Sequence, residues 1–318
     1  MIETNRENIH LINRHSNLSE NEIDKALNTF VYANKSSWTK FLQLFFISLG
    51  IGFATAGIIF FFAYNWADLN KFVKLGLTQG LLLITVVSIF IFKENLLIKN
   101  VLLTATSVLV GVLFAVFGQI YQTGANAYDF FLGWTVFISL WVIVSNFAPL
   151  WLIYITLINV TLCLYADQVA FHWSDNFLFT LLFIANAVSM ILFALLSKLQ
   201  QAISVPNWFL NCLVLGVAFT ATIGLMDNIF EYDDEDKTPI LFLLTAVVYA
   251  LIIVYSVKQK IISYMAMIAF SLISIISAFI FEVGDDFGMF FIISLFIIIS
   301  VTVVIKTLLS LQNKWSNE

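Results

Sequence analysis

From about residue 41 onward the chain alternates between long apolar runs and short polar breaks. Ten runs stand out, near residues 41–64, 72–92, 97–117, 129–144, 148–166, 177–197, 206–226, 239–256, 261–281 and 287–308. A helix of about 20 residues crosses the ~30 Å hydrocarbon core of a bilayer. Most of the runs have that length. They are continuous rather than alternating, which separates them from the strands of a transmembrane barrel. Lipid offers backbone N–H and C=O groups no partner, so such runs must be helices. The pattern therefore predicts an all-α fold, a polytopic membrane bundle of about ten transmembrane helices. The run 129–144 is the weakest of them, being short and separated from the next by only residues 145–148. Pro149, Pro206 and Pro239 fall at the starts of runs. A proline there loses no intrahelical hydrogen bond.

Residues 1–38 are polar and read differently. Residues 8–12 suggest a short first helix. Ser19 and Glu22 then have the spacing of a capping box, with Ser19 accepting from a first-turn N–H and Glu22 reaching back to Ser19. Ile23, Ala26, Leu27, Phe30 and Val31 follow at helical spacing. This predicts a small cytoplasmic helical hairpin over 1–38, a membrane domain over 39–310 and a tail over 311–318. The stretch has no apolar core or small-residue cleavage site, so it does not read as a signal peptide. It could also dock a membrane or cytoplasmic protein partner. His10 and His15 lie five apart with no cysteine near them, too little for a metal site.

Composition sharpens the class. Of 318 residues, 61% are hydrophobic and 11% charged, whereas a soluble domain is about 45–50% apolar and about 25% charged. The net charge of −5 supplies no basic field for phosphate, so nucleic acid is excluded as a partner and the lipid bilayer is the expected one. Ten spans put both termini on one side. That side then carries 12 of the 15 Lys and Arg residues, the other only Lys71, Lys74 and Lys237. The excess of basic residues marks the cytoplasmic side. Trp38, Trp66, Trp151, Trp173, Trp208 and Trp315 lie near span ends, where indole prefers to sit. Trp134 and Trp141 fall inside the fourth run on one face, as packing residues. Cys163 and Cys212 sit inside apolar runs and read as inert buried thiols.

The most unusual stretch is 117–129, with Gly118, Gln119, Tyr121, Gln122 and Gly124 leading to Asp129. Together with Asn65 and Trp66 after the first run, and with the polar head, it resembles the bacterial predicted-membrane-protein family known as domain of unknown function 2157. The resemblance covers roughly residues 5–165. It implies a protein of the bacterial cytoplasmic (inner) membrane and brings no activity with it.

The residues themselves suggest more. Ser107, Gly111 and Ala115 recur every four residues, a small-residue face that lets another helix approach closely. Gln119 and Gln122 continue that face. Gly118 and Gly124 permit a bend, and Asp129 stands where a carboxylate would cap the fourth run. One reading is structural, with amides bonding a neighbouring helix and Asp129 as an N-cap. The other is a hydrated vestibule or re-entrant turn lined by Gln119, Tyr121, Gln122, Asp129 and Asn65. Asn159 and Asn186 could join such a site or serve as interhelical glue.

No ionisable residue sits in the middle of any run, which disfavours a proton-coupled pump, and two arginines cannot make a voltage sensor. The acidic stretch with Asp227, Glu231, Asp233, Asp234, Glu235 and Asp236 lacks the alternate-residue spacing and the glycine of an EF-hand. His172 near Asp167 and Asp175 lacks a second nitrogen or sulfur ligand. Neither a metal nor a cofactor is expected. No nucleophile elbow, P-loop or zinc-protease motif appears, so an enzyme is not the expectation. Two functions remain. One is a facilitator or channel for a neutral or weakly charged solute; the alternative is a non-catalytic scaffold or regulatory subunit of a bacterial envelope complex.

Overall fold

In a computed structural model, the described residues are 16, 19–30, 35–36, 38–39, 41–43, 45–46, 49–50, 53, 60, 64, 66–121, 124, 126–199, 205–230, 239–284 and 288–317. They form helices and turns and no strand. The chain divides into two compact units, Met1–Lys74 and Leu75–Glu318.

In the first unit, helix α1 runs over Glu20–Phe30. Its capping box is present with one change. The Ser19 backbone N–H donates to Glu22 Oε2 at 2.9 Å, and the Ser19 hydroxyl donates to the same oxygen at 2.8 Å instead of accepting from the backbone. These bonds hold the Glu22 carboxyl below its ordinary range. Leu27 is buried, while Glu20, Asn21 and Glu22 are exposed, as the helical spacing of apolar positions requires. The proposed helix near 8–12, both head histidines and most of the first run lie outside the described residues.

Nine further helices are described: α2 Lys71–Ile91, α3 Leu96–Tyr121, α4 Ala127–Ser145, α5 Ala148–Gln168, α6 Asp175–Leu199, α7 Asn207–Phe230, α8 Ile240–Gln259, α9 Ile262–Val283 and α10 Met289–Asn317. All nine are long and apolar enough to cross a membrane, and each coincides with one of the last nine runs. This is a multi-pass membrane protein. The weak fourth run is a helix of 19 residues. Asn146, in the left-handed region at φ 47°, ends it, and Phe147 already caps α5. So short a link makes α4 and α5 antiparallel neighbours. Pro149 lies in the first turn of α5, and Pro206 and Pro239 sit just before α7 and α8. The Pro206 and Pro239 carbonyls accept first-turn bonds from Leu210 and Leu243.

Two apolar clusters fill the second unit. Ile138, Val142 and Leu150 centre one, with α2, α3, α4 and α5 around it and Trp134 and Trp141 packed against it. Phe183, Phe209, Val217, Leu241 and Ile268 centre the other, drawn from α6, α7, α8 and α9 with Ile155 of α5. Trp151 packs against both, so α5 is the shared wall. Helix α10 lies along α9, and none of its apolar window is buried.

Lipid is as apolar as leucine, so helices associate through close packing and polar contacts rather than by leaving water. Both devices are present. A methyl carbon placed on Gly224 would meet Phe179 at 2.6 Å and Leu241 at 2.9 Å, which marks where α6, α7 and α8 close together. Asn186 Nδ2 donates to Asn159 Oδ1 at 2.7 Å, and Asn159 Nδ2 returns a longer bond of 3.4 Å. Between α7, α8 and α9, Thr222 Oγ1 and Tyr249 OH lie 2.6 and 2.5 Å from Ser271 Oγ. The cysteines differ from expectation. Cys163 is exposed on α5 and Cys212 half-buried on α7. In helices apolar on every side, residence in an apolar run does not reveal which face is inside.

Candidate functional site

Helix α3 runs four residues beyond its apolar stretch, to Tyr121. Gln and Tyr are tolerable helix formers, so the backbone continues where hydropathy falls. Gly118 is therefore helical and makes no bend. The turn comes at Gly124, whose φ of +66° is the left-handed conformation that favours glycine.

Asn126, not Asp129, is the N-cap of α4. Asp129 occupies the third helical position, where its Oδ2 accepts from the Asn126 N–H at 3.1 Å and its own N–H donates to the Asn126 carbonyl at 3.2 Å. A carboxylate at this position also faces the positive end of the helix dipole. The expected cap is thus three residues early, and Asp129 is its reciprocal partner. The spacing of Asn126 and Asp129 is that of a capping box and was legible in the sequence.

A third residue pins this corner. The Tyr128 N–H, another first-turn donor with no helical partner, donates to Gln168 Oε1 at 3.0 Å. Tyr128 packs edge-on to Tyr165, Tyr165 to Trp173, and Trp173 to Phe177, with centroids 5.4, 5.3 and 5.0 Å apart. These contacts tie the start of α4 to the end of α5 and the start of α6. Gln168 lies 40 residues from its partner in sequence, and no local pattern announces it.

The small-residue face is used in part. Ser107 and Gly111 are buried against α4: Trp134 Nε1 donates to the Ser107 carbonyl at 2.7 Å, and the same ring covers Gly111. Ala115 is exposed and lines an open groove instead. That groove holds about 650 Å³ between the last turns of α3 and the first turn of α4. Phe114, Phe117 and Phe130 wall it, and Gln119, Asn126 and Asp129 supply its polar groups.

Of the proposed site residues, Gln119 and Asp129 therefore come together. Tyr121 is exposed and packs its ring on Phe117 at 4.6 Å, beside the groove rather than in its lining. Gln122 and Asn65 lie outside the described residues. Asn159 and Asn186 pair with each other in the bundle and do not join the groove. The assembled corner offers an amide that both donates and accepts, a carboxylate that accepts, and aromatic walls. Among the described residues it has no nucleophile with an adjacent base.

No curated protein and no solved structure matches the chain. Residues 18–151, from the start of α1 through the groove corner to the first turn of α5, match the family described as predicted membrane protein (DUF2157).

Proposed function

We propose that this protein is a non-catalytic scaffold or regulatory subunit of a bacterial envelope complex, which holds a protein partner in the groove containing Gln119 and Asp129. The observation that carries this reading is the disposition of polar side chains. Gln119, Tyr121, Asn126 and Asp129 are exposed, whereas Asn159 bonds to Asn186, and Thr222 and Tyr249 to Ser271, between helices. A solute path through a bundle requires interior polar groups turned toward water. The groove, with aromatic walls around a few polar groups, has the make-up of a protein interface core. The distribution of Lys and Arg supports the inner membrane with both termini cytoplasmic, and so a groove on the opposite side. The head over 1–38 would give a second contact in the cytoplasm.

A facilitator for a neutral or weakly charged solute is the second reading. It is favoured by the groove's size of about 650 Å³ and its polar groups, which fall in the range of small-molecule sites.

A photoreactive amino acid at Gln119, activated in intact membranes, separates the two. The scaffold reading expects a discrete cross-linked protein band, weakened by Asp129→Ala, and vesicles of purified protein no more permeable to glycerol or urea than empty ones. No adduct, with solute flux that Gln119→Ala abolishes, would replace the scaffold by the facilitator.

A further inference from the structure

A second groove, of about 290 Å³, lies at the other end of the α6, α7 and α8 contact. Its long walls are apolar, built from residues such as Met190, Ala194 and Leu251. Lys198 and Lys258 close one end. They come from the last turns of α6 and α8, two helices not consecutive in the chain. Lys198 Nζ lies over the Tyr255 ring at 4.9 Å, which holds its charge at the groove mouth. Among the described residues neither lysine forms an ion pair with a carboxylate. From Lys198 back to Met190 is eight residues, so the apolar trough runs about 12 Å along the helix axis.

A single lysine at a helix end is explained by snorkelling to the interface and by the helix dipole. Two lysines converging from separate helices on one apolar trough are not. The combination is complementary to one class of occupant: a negative head and an apolar chain running inward from it. Free phosphate or a soluble anion would leave the trough unfilled, and a zwitterionic lipid would bring its own cationic group to the two lysines and leave their net charge uncompensated.

We propose that this groove is a binding site for an anionic phospholipid, with its phosphate between Lys198 and Lys258 and an acyl chain along the trough. Basic pockets between membrane helices select anionic headgroups in this way. The site is separate from the groove at Gln119 and does not depend on the function proposed for it.

Delipidated protein in a non-ionic detergent, titrated with phosphatidylglycerol or phosphatidylcholine and read by native mass spectrometry, tests the assignment. Wild type is expected to bind phosphatidylglycerol well above phosphatidylcholine. Each lysine beside a lipid phosphate contributes about fivefold, so Lys198→Gln with Lys258→Gln should weaken phosphatidylglycerol about twenty-five-fold and erase the preference. Lys306→Gln with Lys314→Gln removes the same charge from α10 and should change nothing. Ala194→Trp, which fills the trough, should lower binding of the lipid while the lysines remain. Excess inorganic phosphate should not displace it. Equal binding of the two lipids by wild type, equal loss in both lysine pairs, full binding by the Ala194→Trp protein, or displacement by phosphate would each overturn the proposal.

Discussion

The Trp134 ring occupies the space that a side chain at Gly111 would need. A methyl carbon added there would lie 2.5–2.6 Å from three atoms of the indole, whose Nε1–H is already bonded to the Ser107 carbonyl one turn away. A backbone carbonyl of α3, a glycine and a tryptophan of α4 thus form one contact that sets how closely the two helices approach.

Gly111→Ala should therefore destabilise the protein, although alanine is the better helix former. Overpacking costs about 1–3 kcal/mol, against up to about 1 kcal/mol gained in propensity. Gly118, in the same helix, has nothing within 4 Å of an added carbon. Gly118→Ala should be neutral or slightly stabilising. Thermal unfolding of the two variants in detergent checks the pair. Equal stability would show that Trp134 moves aside freely.

The Asn159–Asn186 pair should be measurable by a double-mutant cycle. Hydrogen bonds between membrane helices contribute about 0.6 kcal/mol on average and up to about 1.7. Asn159→Ala leaves the Asn186 amide without its interhelical partner. It should cost more than the same change made in an Asn186→Leu background. A cycle that sums to zero would mean that each amide is satisfied by its own helix, through the bonds to Ile155 O and Leu182 O.

The α1 cap should respond to acid. Ser19 donates two bonds to the Glu22 carboxylate and holds its pKa below the ordinary value. A depressed carboxyl stabilises the folded form above its unfolded pKa and loses that contribution as pH falls through the folded one. Protection of α1 from limited proteolysis should therefore persist at neutral pH and decline only below the ordinary carboxylate range. In Glu22→Gln that acid transition should be absent. An unchanged profile in the variant would assign it to other carboxylates.

Cys163 should react according to its outward position on α5. In intact membranes a lipid-soluble maleimide should label it readily, while a charged, water-soluble one should not. Cys212, half-buried, should label more slowly with either reagent. Rapid labelling of Cys163 by the charged reagent would mean that water reaches this face of the helix.

The last nine runs are helices, eight of them within about four residues of their expected limits and α10 running nine residues past its expected end, and the prolines stand at helix starts as their missing N–H demands. The Ser19–Glu22 box was visible because its two members lie three residues apart. Asn126 and Asp129 have the same spacing, yet the conspicuous carboxylate drew the assignment that belongs to the asparagine.

Length and hydropathy of the segments, the helical class and the residence in a membrane were determined by the sequence alone, because each depends on residues close together in the chain. What only the tertiary structure decided was orientation about each helix axis: that Gly111 faces Trp134 while Ala115 opens on a groove, that Asn159 finds Asn186, that Gln168 holds the start of α4, and that Cys163 looks outward. The reason is physical. In water a helix shows its buried face by a stripe of apolar residues. In a bilayer the outer face is as apolar as the inner one, so the stripe vanishes, and the faces are distinguished by fit between helices that no single segment encodes.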